Sequence, residues 1–187
     1  MKKLLLSFLL LPLIFIANAQ DAKPTKEQTI NYLKQNLLDK KINHLMRYTE
    51  TGTKWDAVNF KYNFSEVSFN GCILTIKYSE QRVAESNYSS KEEDQPKIVI
   101  LTIDLSKTES VSFSSGIYKT GSSIGEYLVS LNFKEQLVNG KIREVTLPFI
   151  SLNEASFNAY EKSEDQVYKA FNHLRKLCGA PEPIKFQ

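Results

Sequence analysis

The chain has 187 residues, with 24 Lys and Arg against 21 Asp and Glu, two histidines and two cysteines. Near-balanced charge, with no basic stripe interleaved with aromatics, argues against a nucleic-acid partner. His44 and His173 are the only histidines, and neither shares a ligand-spaced motif with a cysteine, so no metal site and no cofactor is expected.

Met1 to Gln20 reads as an export signal. Lys2 and Lys3 form a positive start, Leu4 to Ala17 is an apolar run of 14 residues, and Ala17-Asn18-Ala19 offers the small-x-small pattern of a cleavage site. The run is short for a membrane span, and no later stretch of the mature chain is apolar enough to be one. With residues 1–19 as signal peptide, residues 20–187 make one globular domain, exported and either periplasmic or secreted. Its 168 residues carry 22 basic against 21 acidic groups, a size that favours a single core.

Thr25, preceded by Pro24, opens a capping box with Gln28, and Ile30, Leu33 and Leu37 mark one face of a helix over about 26–39. From Lys40 to about Asp56 no element is assigned, although Leu45, Met46 and Tyr48 suggest partial burial. The period then becomes two: Val58, Phe60, Tyr62 and Phe64 alternate, and Val67 and Phe69 continue one residue out of phase, which predicts a bulge near Ser65-Glu66. Asn70-Gly71 predicts a tight hairpin of type I′, returning through a strand from Cys72 to Tyr78.

Ser79 to Lys97, with Glu92-Glu93-Asp94, reads as a long polar loop. Ile98 to Leu105 is the most apolar strand and is expected to be central, with Val99, Leu101, Ile103 and Leu105 on one face and Ile98 and Ile100 on the other. Further strands follow around 110–118 and 126–133. Asn139-Gly140 then turns the chain into a last strand with Val145, Leu147 and Phe149, where Pro148 indicates an edge.

Ser163 and Gln166 form a second capping box, and Gly179 with Pro181 supplies a helix stop, which bounds a closing helix over about 164–178. Val167, Ala170, Phe171, Leu174, Leu177 and Cys178 line its apolar stripe; Lys169, Arg175 and Lys176 fall opposite. The fold class is thus α+β. Strands over about 58–150 form an antiparallel curled sheet or partial barrel of six to seven strands, capped by the C-terminal amphipathic helix, with an additional N-terminal helix.

Cys72 and Cys178 both point toward this core. A disulfide between them would close a loop of about 100 residues and contribute on the order of 4 kcal/mol by loop-closure entropy. Two buried, unreactive thiols are the other reading.

The order of elements resembles the pleckstrin-homology-like fold, a curled sheet of about seven strands with one C-terminal amphipathic helix. The helix text from Val167 to Gly179, with the Ala-Gln signal junction, is similar to uncharacterised exported proteins of Bacteroidota-type bacteria. The fold resemblance implies a binder of lipid, peptide or protein. The basic loop of phosphoinositide-binding members is absent, since the first turn is the tight Asn70-Gly71.

Gly121-Ser122-Ser123-Ile124-Gly125 matches G-x-S-x-G, and Asp165 and His173 follow in hydrolase order. A nucleophile elbow needs a helix after the serine, whereas Tyr127 to Phe133 alternates as a strand. Asp165 and His173 also lie two helical turns, about 12 Å, apart. Lys119-Thr120-Gly121 has no Ser-x-x-Lys to accompany it and reads as a turn. No catalytic residue is therefore assigned. Trp55, Tyr88 and Tyr118, beside predicted loops, are candidates for a binding rim. The expected function is a noncatalytic domain that binds a protein, peptide or apolar small molecule through the exposed side or open mouth of the sheet. The alternatives are a serine hydrolase centred on Ser123 and a lipocalin-like lipid carrier.

Overall fold

A computed structural model describes residues 23–116, 123–153, 156–157, 160 and 166–182. The signal-peptide reading of 1–19, Tyr118, Gly121, Ser122, Ser163 and Asp165 lie outside the described residues. In chain order the elements are α1 (Lys26–Leu37), β1 (Lys41–Thr51), β2 (Lys54–Asn70), β3 (Ile73–Ser86), β4 (Glu92–Glu93), β5 (Lys97–Asp104), β6 (Thr108–Gly116), β7 (Ser123–Ile124), β8 (Tyr127–Gln136), β9 (Ile142–Leu152) and α2 (Gln166–Leu177). The class is α+β. The strands are antiparallel and form two sheets rather than one curled sheet of six or seven strands. A six-stranded sheet runs β4-β3-β2-β1-β7 with β5 also on β3, and a three-stranded sheet runs β6-β8-β9.

Two long strands build the first sheet. β2 changes register on β3 between Phe64 and Glu66, where the sequence alternation changes phase, so Phe64 and Val67 both reach the core. The β2–β3 turn differs from the expected type I′. Asn70 pairs with Ile73, leaving Gly71-Cys72 as the loop. Gly71 has φ +63° while no positive φ occurs at Asn70 or Cys72, the glycine-first pattern of type II′.

One unassigned stretch is filled here and two sequence expectations are overturned. The unassigned stretch after Lys40 contains β1, whose register on β2 shifts between Leu45 and Arg47; that bulge at Met46 breaks the alternation that would have marked a strand. The Ser79–Lys97 loop is shorter than expected, because β3 runs on to Ser86 and β4 pairs back onto Val83 and Ala84. β5 is not central: it pairs with β3 alone, and Ile98 and Ile100 are 55% and 62% exposed. An apolar run on both faces predicts two-sided burial, but among the described residues no layer covers the outer face of β5.

The core lies between the sheets and the two helices. Leu33 and Leu37 of α1, Leu74 and Ile76 of β3, Leu131 and Phe133 of β8, and Phe171 and Leu174 of α2 are all inaccessible to solvent. Helix α1 begins with the expected capping box, Thr25 Oγ1 accepting from the Gln28 N–H and Gln28 Oε1 from the Thr25 N–H. Helix α2 ends in a Schellman motif: the Ala180 N–H donates to Arg175 O and the Gly179 N–H to Lys176 O, with Gly179 at φ +76°.

Two residues of α2 depart from its simple stripe. Leu177 is 43% exposed. Arg175, expected on the solvent side, is buried: its Nη1 donates to Thr108 O and Pro181 O, and its Nε to Asn172 Oδ1. The guanidinium satisfies carbonyls of the β5–β6 turn and of the chain leaving the helix. Hydrophobic periodicity cannot anticipate that use of a charged side chain.

Candidate functional site

The sheets meet along two seams held by side chains. At one, Glu135 of β8, itself buried, accepts from the Asp104 N–H of β5 and from Arg143 Nε and Nη2, while Arg143 Nη2 also donates to Thr102 O. At the other, His44 of β1 contacts Ser151 of β9 through Nδ1 to Oγ at 3.0 Å, and Ser151 Oγ donates to Glu126 Oε2 at 2.7 Å. Glu126 also accepts from the Leu45 N–H and donates its own N–H to Leu45 O.

His44, Ser151 and Glu126 are the residue types of a nucleophilic relay, but the protons run differently. The serine hydroxyl spends its one hydrogen on a bond to the carboxylate, so the His44 tautomer that fits carries its proton on Nδ1 and donates to Ser151 Oγ. The imidazole is thus not placed to take the serine proton. Burial holds the His44 pKa below its ordinary value, partly opposed by the nearby Glu126 carboxylate. The arrangement fastens β1 to β9. No part of it was legible in the sequence, because its members are 107 and 25 residues apart in the chain.

Of the G-x-S-x-G motif, Ser123, Ile124 and Gly125 are described and lie along β1 beside this seam. Ser123 lies in β7, paired with Thr49 of β1, and the next element is strand β8, not the helix of a nucleophile elbow. Gly125 has its own structural reason: a Cβ there would come 2.5 Å from Met46 O, in the bulge of β1. His173 is far along the chain on α2, with Nε2 donating to Pro24 O at 2.7 Å. Beside it, between α1 and α2, lies a largely apolar groove of about 280 Å³ bordered by Thr29, Tyr32, Ala170 and His173.

A second, polar pocket of about 240 Å³ opens at the far end of the larger sheet. Arg47 of β1 pairs across the sheet with Val58 of β2, Val58 with Ala84 of β3, and Phe60 with Arg82. Strand alternation therefore puts both arginines on the face that carries Tyr62 and Phe64 into the core, but beyond the core's end. Asp56, Glu85, Glu92 and Tyr88 also line it.

The charges in this pocket are unevenly satisfied. Arg47 Nη2 lies 3.0 Å from Asp56, yet Arg47 Nε is buried without an acceptor. Arg82 is 3.8 Å from Asp94, longer than a hydrogen bond. Glu85 pairs with Lys91 at 3.2 Å. Arg82, partly exposed and beyond hydrogen-bond range of Asp94, thus keeps donors open to the pocket, while the buried Arg47 Nε is out of a ligand's reach.

Of the three expected rim aromatics, Tyr88 lines this pocket, whereas Trp55 alternates with Asp56 onto the opposite face of the sheet. Tyr88 is 56% exposed, with Lys54 Nζ 5.7 Å from its ring centroid. Trp55 is half-buried and stacks on Tyr48 with centroids 6.3 Å apart. Asn87 fixes the loop between them, its side chain accepting from the Trp55 N–H and donating to Thr53 O. The arginines themselves were not singled out in the sequence: Arg47 follows the bulge that obscured β1, and Arg82 lies in the stretch read as loop. Among the described residues no group of His, Cys, Asp and Glu could hold a metal ion, and no helix is long and apolar enough to cross a membrane. No family model, curated protein or solved structure matches the chain.

Proposed function

We propose that this chain is an exported, noncatalytic binding domain on a partial-barrel scaffold of the pleckstrin-homology-like kind, and that it takes a polar peptide segment of another protein. The meander order of β1, β2 and β3 and the closing helix α2 support the scaffold reading. The observation that carries the ligand class is the pocket holding Arg47 and Arg82. The open N–H groups of Arg82 call for carboxylate or carbonyl oxygens, best matched by the planar guanidinium fork. Glu92, in the same lining, offers an acceptor for a backbone or ammonium N–H. An extended peptide with an acidic side chain supplies both, and Tyr88 provides rigid apolar contact at the rim.

Selection of a random heptapeptide phage library on the purified chain tests this. Enriched sequences should contain Asp or Glu, and an Arg47→Ala, Arg82→Ala double variant should bind them about tenfold or more weakly, the loss of one or two charge-assisted hydrogen bonds. Failure to enrich any sequence, or equal retention by the double variant, removes the peptide reading. The apolar groove between α1 and α2 favours the small-molecule reading instead, and native mass spectrometry of the purified chain for a copurified apolar molecule distinguishes it.

A further inference from the structure

Cys72 and Cys178, 106 positions apart in sequence, form a disulfide with Cα atoms 5.8 Å apart. It joins the β2–β3 turn to the end of α2, and both cysteines are half-buried rather than sealed in the core. The two sulfurs sit in unlike surroundings. The ammonium of Lys26, the first residue of α1, lies 2.9 Å from Cys72 Sγ. Cys178 follows the last residue of α2, its N–H donating to Leu174 O, where the helix presents the negative end of its dipole. The cations of that last turn are engaged elsewhere: Arg175 on Thr108 O and Pro181 O, and Lys176 on Glu182 at 3.2 Å.

We infer that the bridge is an exchangeable disulfide with a fixed direction of reaction, in which Cys178 is the attacked sulfur and Cys72 the leaving group. An incoming thiolate bonds to Cys178 Sγ, the Cys72–Cys178 bond breaks, and its electron pair stays on Cys72 Sγ beside the Lys26 ammonium. The products are a mixed disulfide at Cys178 and one thiolate, with no net oxidation or reduction. Exchange is faster when the departing thiolate is stabilised, and a neighbouring lysine lowers the energy of a thiolate while a helix C-terminus does not. The end of α2 thereby becomes the point of covalent attachment for a thiol-bearing partner, and it is freed from the hairpin turn in the same step.

Brief reaction of the folded full chain with reduced glutathione, acid quenching, maleimide blocking and peptide mapping tests the direction. Glutathione should be found on Cys178 and maleimide on Cys72, with a preference of about tenfold or more, the ratio expected when only one leaving thiolate is stabilised. Lys26→Ala should slow the opening and narrow the preference, while Lys26→Arg, which keeps the charge, should retain it. Glutathione on Cys72, an even split, a preference unchanged by Lys26→Ala, or a folded chain that glutathione does not open while the urea-unfolded chain reacts would each overturn the inference.

Discussion

Phe171 of α2 meets Phe133 of β8 edge-on, with ring centroids 5.1 Å apart and planes at 86°, and both side chains are wholly shielded from solvent. This contact docks the closing helix onto the smaller sheet, supported by Tyr168 against Phe113 at 4.8 Å. Replacing Phe171 by Ala should cost about 3–5 kcal/mol, because the site loses both apolar burial and an aromatic pair, and the packed β8 and α1 around it cannot collapse fully into the void. Urea unfolding monitored by circular dichroism measures it; a loss below about 1 kcal/mol would mean the helix contributes little to the core.

Gly125 is held against the bulge of β1. Gly125→Ala would drive a methyl carbon to within 2.5 Å of Met46 O, and backbone cannot swing aside as a flexible side chain does. The expected cost is about 1–3 kcal/mol, with faster amide exchange at Glu126, whose N–H donates to Leu45 O across this contact. Unchanged stability and exchange would show that β7 moves away without penalty.

Arg175→Ala leaves Thr108 O, among other carbonyls, without its guanidinium donor. A buried acceptor left unpaired costs about 1–3 kcal/mol. Arg175→Lys should recover only part of this, since one ammonium does not reproduce the separate Nε and Nη1 bonds to Asn172, Thr108 and Pro181. Full rescue by Lys in thermal melts would show that charge alone suffices.

His44 predicts a pH dependence. Burial lowers its folded-state pKa from the ordinary 6.5, so on acidification the unfolded chain takes up the proton first. Stability contributed by the neutral, buried imidazole is present above about pH 6.5 and declines as pH falls below it, by at most about 1.4 kcal/mol per pH unit, until the folded imidazole itself protonates. Urea midpoints at about pH 7.5 and about pH 5.5, a window above most carboxylate titration, should differ in this direction. His44→Gln should flatten the difference; an unaltered slope in that variant would place its origin elsewhere.

Much of the local structure was legible in the sequence because it depends on near neighbours. Thr25 and Gln28 cap α1 three residues apart, Gly179 ends α2 through its own backbone, and the phase change after Phe64 marks the β2 bulge. These are properties of a few adjacent residues, and the same chemistry acts whatever surrounds them.

What the sequence could not determine depends on which distant segments face each other. Ile98 and Ile100 have the pattern of a central strand, and only the absence of a layer over β5 leaves them exposed. Arg47 and Arg82, Cys72 and Lys26, and His44 with Ser151 and Glu126 are each brought together by strand register or helix docking across many intervening residues. Alternation and capping say that a strand or helix forms and which face is apolar. Tertiary packing alone decides which polar side chains share a pocket, because hydrophobic burial is non-directional and the pairing is fixed only once register and sheet contacts close around it.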